Sequence, residues 1–300
     1  MPSISVIIPA FNRAESIGET IGSLLGQDYK DFEIVIVDDG SSDNTVGVIQ
    51  AIDDPRIRLF LQPKNMGGNA ARNRGIREAR ASIICFLDSD DRFLPHKLRY
   101  IDTYFRDHPE VDALIDSFEL LYPPQMHKAK AARINPVLNT NKEVEEAIFS
   151  RRIFKATPAI SARRDALMRI GLFDETLKRR QDMDLVLRLA RTVECRSVSD
   201  VLWTKHWTEG AISSKQETFM VAMIEMCERH SVYLTHPAYR KGLARDFARH
   251  FIRLAIRGRG KTIRRDINRF TDFRSGKEAF SLFAEGLCEI SKRALLGRSV

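Results

Sequence analysis

Short apolar runs alternate with segments of helical spacing over the first 120 residues. Four such runs, typical of buried strands, occupy residues 5–8, 32–37, 57–61 and 83–87. The segments between them suit helices: residues 14–26, 44–52 and 67–79. Alternation of this kind predicts an α/β fold with a Rossmann-like, mostly parallel sheet flanked by helices.

The pattern is less regular after residue 110. Residues 111–115 and 158–162 suit strands, and helical spacing resumes at residues 165–169 and 182–191. Residues 122–142 are rich in Pro, Asn and Lys, so we expect a long mobile loop there.

Polar side chains follow three of the predicted strands. Asn12 follows the first strand, Asp38 and Asp39 the second, and Asp88 and Asp90 the fourth. Because the carboxyl ends of parallel strands meet at one edge of a sheet, we expect these side chains to face one crevice.

The acidic motif after the fourth strand places Asp88, Asp90 and Asp91 within four residues. Three carboxylates this close repel one another unless a cation lies among them. Carboxylate oxygens suit hard cations such as Mg²⁺ or Mn²⁺. The alternative is a solvated turn or a helix cap, and a cap near Pro95 is the expected role of Asp91.

Charge is distributed unevenly along the chain. Of its 300 residues, the last 70 hold 16 Lys and Arg against 6 Asp and Glu, whereas the first 230 are close to neutral. The tail predicts an amphipathic helix with Arg at spacing four: Arg245, Arg249, Arg253 and Arg257. This favours a surface-binding tail over a nucleic-acid-binding core.

Cysteine spacing and hydropathy bear on location. The four cysteines lie far apart, which argues against a zinc site or a disulfide framework and fits a reducing cytoplasm. No apolar run reaches the length of about 18 residues that a membrane helix needs. The opening residues resemble a first strand rather than a secretory signal, so a cytoplasmic protein is expected.

Six segments in order resemble the family 2 glycosyltransferases with the GT-A fold. They are SVIIPAFNR (5–13), IVDDGSSD (36–43), NMGGNAARNRG (65–75), FLDSDD (86–91), GLFDE (171–175) and QDMDLVLR (181–188). The resemblance covers roughly residues 3–215. It implies transfer of a sugar from a nucleotide donor to an acceptor hydroxyl, with inversion and with a divalent cation, Mn²⁺ or Mg²⁺.

The resemblance also implies roles for individual residues. Asp39 would accept a hydrogen bond from a uracil N–H. Arg72 would reach a phosphate or the base pocket, and Asp88 would contact ribose or complete the metal shell. The nucleotide-binding set is Pro9, Phe11, Asn12, Asp38, Asp39, Gly67, Arg72 and Asp88. Asp90 and His206 would bind the cation. The alternatives are turns at the strand ends for the residues that follow strands, a solvated helix face for Arg72 and a structural histidine for His206.

Asp182 is the implied general base, which takes the acceptor's proton as the new bond forms. It also suits a helix N-cap, and the two roles are compatible. The family usually has Glu where this chain has Gln181, so the electrostatic neighbour of Asp182 is neutral. Asp184 is expected to pair with Arg188 one turn later. The Gln-x-x-Arg-Trp signature of processive synthases is absent, which favours transfer of one sugar per visit.

The expected organisation is a glycosyltransferase domain at 1–230, with a nucleotide-binding part (1–120) and an acceptor-side part (121–230), followed by a basic helical extension at 231–300. The expected partners are a UDP-sugar and a glycan or lipid-linked acceptor, without nucleic acid. Residues 240–300 could contact the inner face of the cell membrane, although docking on the enzyme itself is the alternative.

Three other functional classes remain open at this point. One is a nucleic-acid-binding protein, which only the basic tail suggests. A nucleotide-sugar binding protein without transfer activity would not need the intact Asp90 and Asp182. A nucleotidyltransferase would require a Gly-rich phosphate loop after the first strand, where this chain has Ala10, Phe11 and Asn12.

Overall fold

The computed structural model describes residues 1–207 and 218–295. In that part of the chain, nine strands form one sheet: β1 (Ile4–Ala10), β2 (Phe32–Asp38), β3 (Ile57–Leu61), β4 (Ile83–Phe86), β5 (Arg92–Phe93), β6 (Ala113–Leu121), β7 (Ala131–Arg133), β8 (Ile160–Arg163) and β9 (Cys195–His206).

The helices in the described ranges are α1 (Ile17–Leu25), α2 (Thr45–Gln50), α3 (Gly68–Glu78), α4 (Lys97–Asp107), α5 (Asn141–Phe149), α6 (Arg164–Arg169), α7 (Gln181–Thr192), α8 (Phe219–Arg229), α9 (Val232–Thr235), α10 (Pro237–Ile256), α11 (Gly260–Phe273) and α12 (Gly276–Leu295). None of these helices combines the length and the apolar character that crossing a membrane requires.

The strand order is β3-β2-β1-β4-β8-β6-β9-β5, and β7 pairs with β6. The four strands at the β3 end run parallel to one another, as the alternating pattern predicted. Beyond β4, antiparallel pairs flank the parallel pair β6–β9. The predicted α/β class is therefore confirmed, with a sheet that becomes mixed after its first half.

Helix α3 packs closely on the centre of the sheet. Strand β1 is almost entirely buried, because helices cover an apolar sequence that would otherwise face water. A Cβ added at Gly75 of α3 would lie 2.5 Å from Ile7 Cγ2, so glycine permits the close approach of helix and strand. This packing fixes the position of the α3 side chains near the strand ends.

The chain divides into two compact units. The first comprises Met1–Glu145 and Ile153–Glu209, and the second comprises Glu146–Arg152 and Gly210–Val300. Aromatic rings form much of the core of the second unit: Phe247 contacts both Phe251 and Phe270 edge to face, with centroids 4.9 Å apart in each pair. Arg151 there pairs with Asp246.

Two local expectations differ from the structure. The predicted loop at residues 122–142 contains the short strand β7, which its pairing with β6 stabilises. In the tail, Arg245 is buried and donates to the Ser150 carbonyl, so the predicted basic stripe is not continuous. Arg253 and Arg257 are exposed.

Candidate active site

The register of the parallel strands brings three polar strand ends together. Ala10 lies opposite Asp38 on β2, and Ile7 lies opposite Phe86 on β4. The segments that begin at Phe11, Asp39 and Leu87 therefore leave the sheet at the same edge, with Phe11 level with Asp39 and Leu87 level with Ile8. This confirms the expected convergence at the carboxyl edge of the sheet.

Asn12 supports the loop between β2 and α2. Its backbone has a φ of 51°, and its side-chain oxygen accepts the Ser42 N–H at 2.8 Å. Its own N–H donates to the Ser41 hydroxyl. Phe11 beside it is 40% exposed, so its ring is accessible at the strand end, and Pro9 is half-buried.

Asp39 fixes the loop that leads into α3. It is only 3% exposed, and its carboxylate accepts N–H groups from Gln62 (2.6 Å), Met66 (2.7 Å) and Gly67 (2.8 Å). Gly67 has a φ of 97°, which favours glycine. Asp38 accepts the Ser41 N–H through Oδ2, while its buried Oδ1 has no hydrogen bond in the described chain.

Arg72 connects α3 to the acidic motif. Its Nη2 lies 2.7 Å from Asp88 Oδ1, its Nη1 lies 3.4 Å from Asn69 Oδ1, and its guanidinium lies over the Phe173 ring. Burial raises the pKa of Asp88, but the Arg72 and Lys205 cations outweigh that effect and hold it below the ordinary value.

The other two carboxylates of the motif differ from Asp88. Burial and the neighbouring Asp88 charge raise the pKa of Asp90. Asp91 is fully buried rather than a solvated helix cap, and burial raises its pKa to about 8. Its oxygens accept the His206 backbone N–H at 2.9 Å and the Lys205 ammonium at 3.4 Å. Asp91 therefore ties the end of β9 to the loop after β4.

His206 and Asp90 are candidate donors for a divalent cation. Burial and Arg92 lower the pKa of His206, and the Asp90 charge acts in the opposite direction. No group of three or more His, Cys, Asp or Glu side chains that could hold a metal occurs within the described ranges. A cation that takes one or two protein ligands and completes its shell with phosphate oxygens and water fits these residues.

Asp182 lies in the first turn of α7, directly after Gln181. The preceding Arg180 has a φ of 63°, which turns the chain into the helix. Asp182 is half-buried, and its Oδ1 accepts the Met183 N–H at 2.8 Å. The predicted Asp184–Arg188 pair is confirmed, with an N–O distance of 2.6 Å.

Two asparagines of α3 connect this helix to the segment before α7. Asn69 donates to the carbonyls of Asp174 and Leu177, at 2.9 and 2.8 Å. Asn73 donates to the Phe173 carbonyl and accepts the Phe173 N–H, both at 2.9 Å. The sequence analysis assigned these asparagines no role. Residues at spacing four lie on one face of a helix, so the two amides could have indicated a shared contact.

Comparisons with known proteins agree with this geometry. A family model described as glycosyl transferase family 2 matches residues 5–167. The amylovoran biosynthesis glycosyltransferase AmsB of Erwinia amylovora is 33% identical over 202 residues, which are 62% of this chain and 63% of AmsB.

A second relative is the GalNAc(5)-diNAcBac-PP-undecaprenol beta-1,3-glucosyltransferase of Campylobacter jejuni, 44% identical over 97 residues. That match covers 31% of each chain, and other curated relatives are matched over similarly small shares of their length.

Among solved structures, S. aureus TarS 1–349 in complex with UDP-GlcNAc is similar with a TM-score of 0.72 and 19% identity. The similarity covers 99% of this chain and 93% of that one. At this identity it shows a shared fold, which confirms the expected GT-A architecture.

Proposed function

Because this chain belongs to glycosyl transferase family 2, we propose that it is an inverting, metal-dependent, non-processive enzyme that transfers a sugar from a UDP-sugar to an acceptor hydroxyl. The observation that carries this proposal is the arrangement of Asp39, Arg72, Asp88 and Asp90 around the carboxyl ends of β2, β1 and β4. Ligands of open α/β sheets bind at this edge.

The nucleotide would occupy the crevice beside Phe11. The exposed Phe11 ring and Pro9 can pack on the base, and Asp39 is held rigidly enough by three N–H donors to orient it. Arg72 would face the diphosphate and Asp88 the ribose, with Asn12, Asp38 and Gly67 shaping the surrounding loops. TarS, which shares the fold, was solved with UDP-GlcNAc, and this supports UDP as the nucleotide.

Asp90 and His206 would hold the divalent cation. When bound, such a cation neutralises the diphosphate that leaves. Burial and the Asp88 charge raise the pKa of Asp90, so its carboxylate form is disfavoured, and a bound divalent cation would offset that cost.

Asp182 would act as the general base. Its Oδ1 is fixed by the Met183 N–H, whereas Oδ2 has no hydrogen bond among the described residues and can accept the proton of the acceptor hydroxyl. Gln181 beside it is neutral, so it adds no negative charge to favour the protonated carboxyl group. Direct displacement opposite the leaving diphosphate inverts the anomeric centre.

The acceptor would be a glycan or lipid-linked sugar of a surface polysaccharide. This follows the names of the relatives in amylovoran biosynthesis and on an undecaprenol-linked substrate. We assign transfer to residues 1–230, with donor binding in 1–120, and treat 231–300 as a basic extension. The exposed Arg253 and Arg257 flank Ile256, which is 80% exposed, and could contact the cytoplasmic membrane face.

Calorimetric titration of UDP, GDP and dTDP, with Mn²⁺ or with a chelator, tests this function. We expect UDP binding that requires both Mn²⁺ and Asp90, so that Asp90→Ala abolishes the metal-dependent part. Preference for another nucleotide would change the assigned sugar donor but would leave the assignment as a glycosyltransferase unchanged. If none of the three shows metal-dependent binding, the proposal is wrong.

A further inference from the structure

Lys205 places a cation beside the acidic motif. Its side chain is 34% exposed, and its ammonium lies 3.4 Å from Asp91 Oδ2. This distance is longer than the 2.7–2.9 Å or so that is usual for a charge-assisted hydrogen bond. The pairing with Asp91 is therefore loose, and an ammonium carries three donors.

Asp91 contacts the backbone of β9 as well as the Lys205 ammonium. Its Oδ1 accepts the His206 N–H at 2.9 Å, and Asp91 is inaccessible to solvent. The position of Lys205 at the end of β9 is consequently fixed. Burial lowers the pKa of its ammonium, but the charges of Asp91, Asp88 and Asp90 outweigh that effect and raise it, so the ammonium lies within electrostatic reach of the whole motif. A fixed backbone with a partly exposed side chain suits a residue that contacts a bound ligand.

Two cations lie beside the three carboxylates of the acidic motif. Arg72 pairs with Asp88, and Lys205 pairs with Asp91. A nucleoside diphosphate and a divalent cation would add both signs of charge to this cluster. A partly exposed lysine side chain next to the phosphates would then act together with Arg72 to offset the charge that the leaving diphosphate gains.

We propose that Lys205 binds the diphosphate of the nucleotide donor, as a further binding residue that the family motifs do not mark. The inference rests on the proposed function, because it requires a nucleoside diphosphate in this crevice. Its alternative is a purely structural role, in which Lys205 only neutralises the buried Asp91.

Calorimetry with UDP, UMP and uridine in the presence of Mn²⁺ separates these roles. Lys205→Met should weaken UDP binding by roughly ten- to a hundredfold, the range expected for a hydrogen bond to a charged group. The loss should be smaller for UMP and absent for uridine. Lys205→Arg should retain most of the UDP affinity, since it keeps the charge. Lys142→Met, at an exposed position of α5, is the matched control and should bind like the wild type.

The double variant Lys205→Met with Asp91→Asn distinguishes phosphate binding from neutralisation of Asp91. If Lys205 binds phosphate, the double variant stays at least as weak as Lys205→Met. Recovery of wild-type UDP affinity would show that Lys205 only neutralises Asp91, and equal losses for all three ligands would show a structural defect. Either result overturns the inference.

The wild-type titration separates the inference from the function on which it rests. Metal-dependent UDP binding that is insensitive to Lys205 would overturn only the Lys205 assignment. If the wild type prefers another nucleoside diphosphate, the same variants are compared with that ligand and its monophosphate. If the wild type binds none, both proposals fail together.

Discussion

Arg72 Nη2 lies 2.7 Å from Asp88 Oδ1, and this ion pair joins helix α3 to the loop after β4. The same helix holds the segment before α7 through Asn69 and Asn73. Helix α3 therefore connects the proposed nucleotide-binding edge to the segment that leads into α7, where Asp182 lies. The predictions below follow from this arrangement and from the packing that supports it.

Arg72→Lys should weaken UDP binding at least tenfold, although it preserves the charge. A lysine cannot contact Asp88 and Asn69 together as the guanidinium does. Calorimetry measures the effect, and Arg77→Lys on the exposed face of α3 is the control. Unchanged UDP affinity in Arg72→Lys would remove Arg72 from the binding site.

Gly75→Ala should destabilise the protein by about 1–3 kcal/mol, because the added Cβ would lie 2.5 Å from Ile7 Cγ2. Gly22 lies in helix α1 with no heavy atom within 4 Å of an added Cβ. Gly22→Ala should therefore be neutral or stabilising by up to ~1 kcal/mol. Urea unfolding of both variants gives the comparison, and equal effects would contradict the close packing of α3 on β1.

Lys97→Met should cost about 3–5 kcal/mol of unfolding free energy, because it leaves Asp116 buried without its cation. Both side chains are at most 1% exposed, and the ammonium lies 2.6 Å from the carboxylate. Changing Asp116 to Leu in the same protein should recover most of the loss. The exposed pair Lys130–Glu119 is the control, and Lys130→Met should cost less than ~1 kcal/mol. Similar losses for both lysine variants would refute this ranking.

Glu33 should make the free energy of unfolding depend on pH in the acid range. Burial raises its pKa, but hydrogen bonds from Ser5, the Arg80 N–H and Arg58 lower it below the ordinary value of 4.5. Its contribution is therefore complete above about pH 4.5 and is lost as the pH falls through the folded-state pKa.

Glu33→Gln should accordingly be less stable than the wild type at pH 7, with the difference shrinking towards pH 3. Unfolding free energies at both pH values measure this. Glu15→Gln, at an exposed position, should differ little from the wild type at either pH. A Glu33→Gln deficit that is the same at both pH values would contradict the assignment.

The parallel half of the fold could be predicted because each strand is a short apolar run with polar residues at its end. The same feature predicted that Asp39, Asp88 and Asp90 would follow strands ending at one edge of the sheet. The contacts of Asp91 could not be predicted, because its partners Lys205 and His206 lie more than 110 residues away and depend on the position of β9. From the sequence alone, a charged residue in a turn is expected to face solvent, because a distant partner cannot be identified.

The tail shows the same limit. A regular spacing of arginines could not reveal that Arg245 is buried against Ser150, since the covering segment comes from residues 146–152. Residues 208–215, which the family resemblance also covers, lie outside the described residues.

Donor turnover by the wild type and by Asp182→Asn tests whether Asp182 is the general base of a sugar transfer. UDP release from a panel of UDP-sugars would be measured with Mn²⁺, alongside UDP affinity by calorimetry. We predict that Asp182→Asn binds UDP like the wild type and loses turnover by about a hundredfold or more, as expected for a general base. Turnover at the wild-type rate in Asp182→Asn would contradict the account.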